Sequence, residues 1–154
     1  MYLSEQWSMV ARLALAAVLG ALVGVDREYR GYPAGVRTIA LVCLGSALFT
    51  EMSSTFSPEG DPGRVAAQIV TGIGFLGAGV IVREGITLRG VTTAATIWTS
   101  ASLGIAVAQG FYVVAVFVAL VVVALLEANP LTKRLSHLGG RARGDGDRDG
   151  VHQE

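Results

Sequence analysis

Five long apolar stretches divide the chain, and nearly all of its charged residues lie between or beyond them. The stretches cover residues 7–25, 38–56, 65–82, 91–108 and 111–126. A helix needs about 20 predominantly apolar residues to cross the hydrocarbon core of a bilayer. The pattern therefore predicts an all-α, polytopic bundle of about five transmembrane helices, formed by residues 1–130.

The longest uncharged part of the chain, residues 90–126, has to contain a turn. A single helix of that length would measure roughly 55 Å, which is much longer than the apolar slab of a membrane is thick. Gln109-Gly110 is the best turn signal in this part, so we predict a tight helical hairpin there. The stretch after the turn is short, and it fits either a full or a partial span.

Helix-start and helix-stop residues frame the other stretches. Asp61-Pro62 is typical of an N-cap followed by the first helical position, and Pro-Ala-Gly at 33–35 breaks the chain before the second stretch. Asn129-Pro130 is expected to end the fifth helix. Residues 131–154 are expected to form a polar cytoplasmic tail, disordered beyond residue 139 because little there can be buried.

The basic residues predict the orientation, because Lys and Arg are enriched in cytoplasmic connections. With the N-terminus outside, ten of the twelve basic residues lie in cytoplasmic connections or in the tail. Arg64 then lies outside, and Arg12 lies within the first stretch. We therefore predict an N-out, C-in protein with an odd number of spans.

Composition supports a membrane protein and argues against several other classes. Charged residues make up 16% of the chain, against about 25% in an ordinary soluble domain. The net charge is zero, which gives no argument for nucleic acid as a partner. The lone Cys43 excludes an intrachain disulfide, and both histidines, His137 and His152, lie in the polar tail. Because no nucleophile is paired with a base, we predict neither enzymatic activity nor a cofactor.

Gly72, Gly74 and Gly77 have the spacing GxGxxG, and Gly79 adds a fourth glycine. A dinucleotide-binding fingerprint needs a strand before it and a helix after it, whereas this run lies inside an apolar stretch, so we reject the nucleotide interpretation. Two interpretations remain. The glycines allow membrane helices to pack closely, which is the commoner use, or they let the helix open at mid-membrane and expose backbone carbonyls to a substrate.

A second set of small residues, Ala16, Gly20 and Gly24, recurs at four-residue intervals in the first stretch. This spacing predicts a helix-packing interface, either within one chain or between the chains of a homo-oligomer.

Charged residues between the first two stretches form a mixed edge of Asp26, Arg27, Glu28, Arg30 and Arg37. Anchoring at the interface and ion pairing are the ordinary use of such residues. The functional alternative is a partner or cation site, since carboxylates suit Mg²⁺. The interleaved arginines argue against a bare metal cage, and no metal ligand is assigned.

Polar groups inside apolar stretches are further candidates, because they are costly in lipid. Arg12 and Glu51 lie toward the outer face, where they can snorkel or pair. Gln68 is expected to hydrogen-bond to a neighbouring helix. Trp98, near the middle of a hydroxyl-rich fourth stretch, is expected to pack inside the bundle.

Together these blocks resemble the MgtC/SapB family of bacterial inner-membrane proteins. The resemblance is carried in order by GALVGVDRE at 20–28, AGVRT at 34–38, LVCLGSALF at 41–49, RVAAQIVTGIGFLGAG at 64–79, VREG at 82–85 and RGVTTAA at 89–95, followed by Trp98. The family usually has Glu where this chain has Asp26, and some members have Asn at the position of Thr92. Several members also have a cytosolic C-terminal domain that resembles ACT domains. Regulation through such a domain is expected to be absent here, because the tail is short.

The resemblance implies a multi-pass protein of the bacterial inner membrane with a role in Mg²⁺ homeostasis and, in some pathogens, in survival within host cells. It implies regulation of other membrane proteins, such as ATP synthase or Mg²⁺ pumps. The alternative is a Mg²⁺ or other cation transporter or channel, although no carboxylate lies near the centre of any stretch. The blocks supply these candidate functional residues: Asp26, Arg27, Glu28, Arg37, Thr38, Arg64, Gln68, Gly72, Gly74, Gly77, Gly79, Arg89, Gly90, Thr92, Thr93 and Trp98.

Overall fold

Five α-helices follow one another in the computed structural model, which describes residues 3–56 and 61–128. They are α1 (Leu3–Tyr29), α2 (Val36–Phe56), α3 (Pro62–Gly79), α4 (Val91–Ala108) and α5 (Tyr112–Glu127). Their ends lie within four residues of the predicted ones. Helices α1, α2 and α4 are each long and apolar enough to cross a membrane, and α5 is a shorter apolar helix of 16 residues. The chain is an all-α bundle of membrane helices.

A small β-hairpin joins α3 to α4 and was not predicted. Its strands, β1 (Val82–Glu84) and β2 (Thr87–Arg89), pair antiparallel, and Gly85 at the turn has φ 62°. Three-residue strands are too short to show an alternating pattern. The predicted third helix therefore continued to residue 82, whereas the observed helix ends at Gly79.

The core of the bundle lies where α1, α2 and α4 meet, and glycines bring these helices together. A Cβ atom on Gly20 of α1 would lie 2.8 Å from the Cβ of Cys43, and one on Gly24 would lie 2.6 Å from the Cα of Val36. A Cβ on Gly104 of α4 would overlap the carbonyl oxygen of the same residue, Cys43. Backbones can approach this closely only where no side chain intervenes.

Glycines also end two of the helices. The Tyr32 N–H donates to the Arg27 carbonyl, and the Gly31 N–H donates to the Glu28 carbonyl, with Gly31 at φ 71°. The same arrangement follows α4, with Gly110 at φ 80°. Both are Schellman motifs, in which the left-handed residue favours glycine. The predicted hairpin at Gln109-Gly110 is confirmed.

Helix α3 lies at the periphery, mainly against α4. Asp61 caps its N-terminus by accepting the Gly63 N–H at 2.8 Å, and Pro62 occupies the first turn, as predicted. Most of its side chains are exposed. Because it has fewer neighbours than α1, α2 or α4, one long side of α3 is open.

Some predictions fall outside the residues that the structure describes. These are the helix stop at Asn129-Pro130 and the polar, disordered tail at 131–154.

Candidate functional site

Arg27 lies at the last turn of α1 and points into the bundle, where 1% of its surface is exposed. Its Nη2 donates a short hydrogen bond to the hydroxyl of Thr93, in the first turn of α4. The Tyr32 ring lies over the guanidinium, with its centre 3.7 Å from Cζ. Burial would be costly for an unpartnered cation, and these contacts offset that cost.

The two carboxylates beside Arg27 are bound by other groups of the same chain. Glu28 accepts the Val36 N–H at 2.8 Å and so holds the first turn of α2. Asp26 Oδ1 accepts from Arg30 Nε at 2.6 Å, and Arg30 reaches Glu127 at the end of α5 at 2.7 Å. The hydrogen bonds to Asp26 and Glu127 raise the pKa of Arg30.

These contacts define a set that we call the Arg27 cluster: Asp26, Arg27, Glu28, Arg30, Tyr32, Thr93 and Glu127. The cluster joins the ends of α1, α2, α4 and α5. Five of its members were identified in the sequence: Asp26, Arg27, Glu28, Arg30 and Thr93. No sequence pattern identified Tyr32 or Glu127. A turn separates Tyr32 from its partner Arg27, and Glu127 is distant in sequence from its partner Arg30.

The Arg27 cluster joins helix ends through hydrogen bonds and ion pairs, and two of its polar atoms remain available for a further hydrogen bond. Among the residues that the structure describes, neither of the buried atoms Asp26 Oδ2 and Arg27 Nε has a hydrogen-bond partner. In residues 3–56 and 61–128, no group of three or more His, Cys, Asp or Glu residues is placed to hold a metal ion. The buried charge at the centre is itself a cation, which repels a divalent ion.

Other predicted residues of this end lie around the cluster. Arg37 and Thr38 are exposed on the first turn of α2, and Thr92 is exposed on α4. Arg89 is exposed and lies 3.5 Å from Glu84 across the hairpin. Gly90 caps α4 with φ 89°, and the Val80 carbonyl occupies the space of a side chain there, so glycine is required.

A second candidate site is a groove of about 840 Å³ between α2 and α3. We call it the α2–α3 groove. Among the predicted residues, it brings together Arg64, Gln68 and Gly72. Its other lining residues are mostly apolar and include Leu41, Phe49 and Leu76.

The glycine run of α3 does not pack as a unit within the chain. A Cβ on Gly77 would lie 3.5 Å from Ala94 of α4, an ordinary contact. At Gly72, Gly74 and Gly79 a Cβ would meet nothing within 4 Å. Among the described residues, close packing therefore requires glycine at none of the four positions, and three of the glycines face open space.

Two side chains differ from their expected positions. Trp98 is 51% exposed, so the expectation that it packs inside the bundle was wrong. Gln68 is exposed and, within the described part of the chain, its side chain makes no hydrogen bond to another helix. In both cases the sequence indicated depth in the membrane and gave no information on which face of the helix the residue occupies.

The opposite end of the bundle carries a second ion pair. Arg12 Nη1 lies 3.0 Å from Glu51 Oε1 and 3.2 Å from the Ala108 carbonyl, so it joins α1, α2 and the end of α4. Pairing was one of the two interpretations of these residues. The stripe of Ala16, Gly20 and Gly24 lies against α2 within the chain.

Gly104 was missed in the sequence, although Ser100, Gly104 and Ala108 recur at four-residue intervals, as the small residues of α1 do. All three are buried. This small-residue spacing in α4 was the available signal.

Comparison with known proteins gives a consistent set of relatives. A family model described as the MgtC family matches residues 13–135. Protein MgtC of Salmonella typhimurium strain LT2 is 56% identical over 96 residues, or 62% of this chain and 41% of that protein. Protein MgtC of Brucella abortus strain 2308 is 52% identical over 100 residues, or 65% of this chain and 42% of that protein.

A broader match is an uncharacterized protein of Synechocystis, 42% identical over 134 residues, or 86% of this chain and 57% of that protein. The chain thus spans about half the length of the curated relatives it matches. No solved structure matches it.

Proposed function

This chain belongs to the MgtC family, and from that membership we propose that it acts in the bacterial inner membrane during adaptation to low Mg²⁺. In this proposal it catalyses no reaction. It regulates other membrane proteins, such as ATP synthase or a Mg²⁺ pump, through contacts made by its helical surface. It crosses the membrane several times, with the N-terminus outside and the C-terminus inside.

The observation that carries this proposal is that the carboxylates of the Arg27 cluster are bound by other groups of the same chain. Glu28 accepts a backbone N–H of α2, and Asp26 accepts from Arg30. A site that binds or conducts Mg²⁺ presents carboxylate oxygens to the ion. Here those oxygens mainly accept hydrogen bonds that hold the helix ends together around a buried guanidinium. This use supports a structural role, in which the bundle presents a surface to partner proteins.

Growth in low Mg²⁺ tests the role in cells. Cells that lack this gene should grow poorly at low Mg²⁺, and the wild-type chain should restore growth. Arg27→Met should fail to restore it because the helix ends separate, whereas Arg83→Met, at an exposed position of the hairpin before α4, should succeed. Membrane levels of both variants are measured by immunoblot.

Partner capture distinguishes regulation from a general growth effect. A photo-crosslinking residue on the outward faces of α2 or α5 should yield a discrete crosslinked membrane protein from cells at low Mg²⁺. Normal growth of the deletion strain together with the absence of any crosslinked partner would contradict the proposal.

Transport of a cation is the second candidate, and the open glycines of α3 favour it. Gly72, Gly74 and Gly79 have free space where side chains would stand, and Gln68 lies on the neighbouring groove. Exposed backbone and an amide are groups that a midplane ion site uses.

Uptake of Mg²⁺ into proteoliposomes that contain only the purified chain and an internal dye decides between the two candidates. Flux above that of empty vesicles, reduced by Gly74→Leu, would establish transport. No flux, with insertion verified by protease access to the tail, would leave regulation as the function.

A further inference from the structure

The α2–α3 groove is long and more polar at one end, because Ser46 is the one polar lining residue described toward the other end. On α2 it extends from Leu41 to Phe56, which is about 22 Å along a helix axis. On α3 it runs in the opposite direction, from Leu76 to Arg64. The middle is lined by apolar side chains and by Gly45 and Gly72, where a Cβ would meet nothing.

The polar end of the groove coincides with a helix end. Arg64 lies in the first turn of α3, with Gln68 one turn further along and Ser53 opposite on α2. Among the described lining residues, Arg64 is the only charged one. The nearby carboxylate of Asp61 is engaged as the cap of α3. A guanidinium at a helix end lies at the depth of lipid headgroups, and its planar fork fits a phosphate.

The size of the groove indicates the shape of its occupant. The groove has a volume of about 840 Å³. Binding sites for small molecules typically have about 300–1,000 Å³. The size of the groove and its mostly apolar lining therefore fit a chain-like apolar molecule such as an acyl chain.

We propose that the α2–α3 groove binds an anionic phospholipid, with an acyl chain between α2 and α3 and the phosphate held by Arg64. Gln68 donates a second hydrogen bond to the headgroup. In the groove an acyl chain contacts both α2 and α3, which is a larger contact than it would make with the surface of a single helix. The charge of Arg64 selects an anionic headgroup. This site is separate from the Arg27 cluster and does not depend on the proposed regulatory role.

Native mass spectrometry of the purified full chain, delipidated in a neutral detergent, tests the proposal with two added lipids. Dioleoylphosphatidylglycerol should bind as a single retained molecule about tenfold more tightly than dioleoylphosphatidylcholine, as expected for a charge-assisted contact. Arg64→Gln should lower the affinity for phosphatidylglycerol to that for phosphatidylcholine.

A matched pair of glycine variants tests the path of the acyl chain. Gly72→Leu places a side chain in the groove and should reduce retention of both lipids. Gly74→Leu adds the same side chain on the same helix, also in open space but outside the groove, and should leave binding unchanged. Gly45→Leu blocks the groove from α2 and serves if Gly72→Leu fails to fold by circular dichroism.

Several outcomes would overturn the proposal. Equal affinity of the wild-type chain for the two lipids would remove the anionic selectivity, as would a preference that survives Arg64→Gln. Equal losses in Gly72→Leu and Gly74→Leu would show that the acyl chain does not follow the groove. A dimer that is abolished by Gly72→Leu and not displaced by lipid would assign the groove to a second copy of the chain.

Discussion

Arg27 shows how a buried charge can be kept in a membrane helix. Lipid supplies no hydrogen-bond partner for such a charge, so the protein itself has to provide stabilising contacts. A hydroxyl from α4 and an aromatic ring from the turn after α1 do so here. Because these partners come from different parts of the chain, the side chain is accommodated only when α1 and α4 are assembled.

Replacing Arg27 with Met should therefore destabilise the bundle. The change removes the contacts to Thr93 and Tyr32 and leaves a buried hydroxyl short of a donor, at a cost of about 2 kcal/mol. Arg37→Met, at an exposed site of the same end, should change stability little. Unfolding in mixed micelles with increasing SDS measures both variants, and equal effects would show that Arg27 is not a structural contact.

Some glycines lie in close contact with a neighbouring helix, and others face open space. Alanine substitution should destabilise the protein at the first kind of position and not at the second. In Gly24→Ala the new Cβ would lie 2.6 Å from the Val36 backbone, so α1 and α2 must separate at a cost of about 1–3 kcal/mol. Gly74→Ala meets nothing and should stabilise α3 by about 0.5–1 kcal/mol, because alanine favours the helix. The same SDS titration compares them, and a large loss in Gly74→Ala would contradict its open environment.

At the scale of the helix, the sequence predicted well where the helices begin and end. Helix α4 was predicted with both ends correct, and the turn at Gln109-Gly110 was found because glycine ends the helix in a left-handed conformation. These features depend on local residues alone. The hairpin between α3 and α4 was missed because its strands are held by pairing with each other, which no local apolar pattern reveals.

The cap of α3 offers a test at this scale, because most side chains of this peripheral helix are exposed. Asp61→Ala removes the acceptor of the Gly63 N–H and should cost about 1 kcal/mol. Since α3 packs mainly on α4 alone, the effect should be local fraying, seen as faster amide hydrogen exchange in its first two turns. Asp61→Asn keeps the cap and should exchange as the wild type does; faster exchange in α4 as well would contradict a local effect.

At the scale of the whole molecule, glycines lie at the closest helix contacts, and several of the largest apolar residues face outward. Gly20 and Gly104 lie against α2, whereas Phe75, Trp98 and Phe117 are each more than half exposed. In water the large residues would be buried; in lipid, close contact between backbones is what joins helices. This explains why the position of Trp98 was wrongly expected. Hydrophobicity identifies the membrane segments, while only the assembled bundle determines which face of each helix is inside.

The same arrangement permits a direct test of the predicted N-out, C-in topology. Cys43 is 0% exposed, so the wild-type chain should not react with a membrane-impermeant maleimide. Ile86, fully exposed on the hairpin, and Gln109, exposed in the turn after α4, lie at the two ends of α4. Cysteines at these positions therefore report on opposite sides of the membrane if α4 spans it.

Ile86→Cys should react in inverted vesicles and stay unreactive in intact cells, because the arginines of its connection are retained in the cytoplasm. Gln109→Cys should show the reverse. The opposite result for both variants would invert the orientation while keeping α4 as a span. Reaction of both from one side would mean that α4 does not cross the bilayer, and the five-span bundle would then have to be replaced by one in which α4 and α5 re-enter the same face.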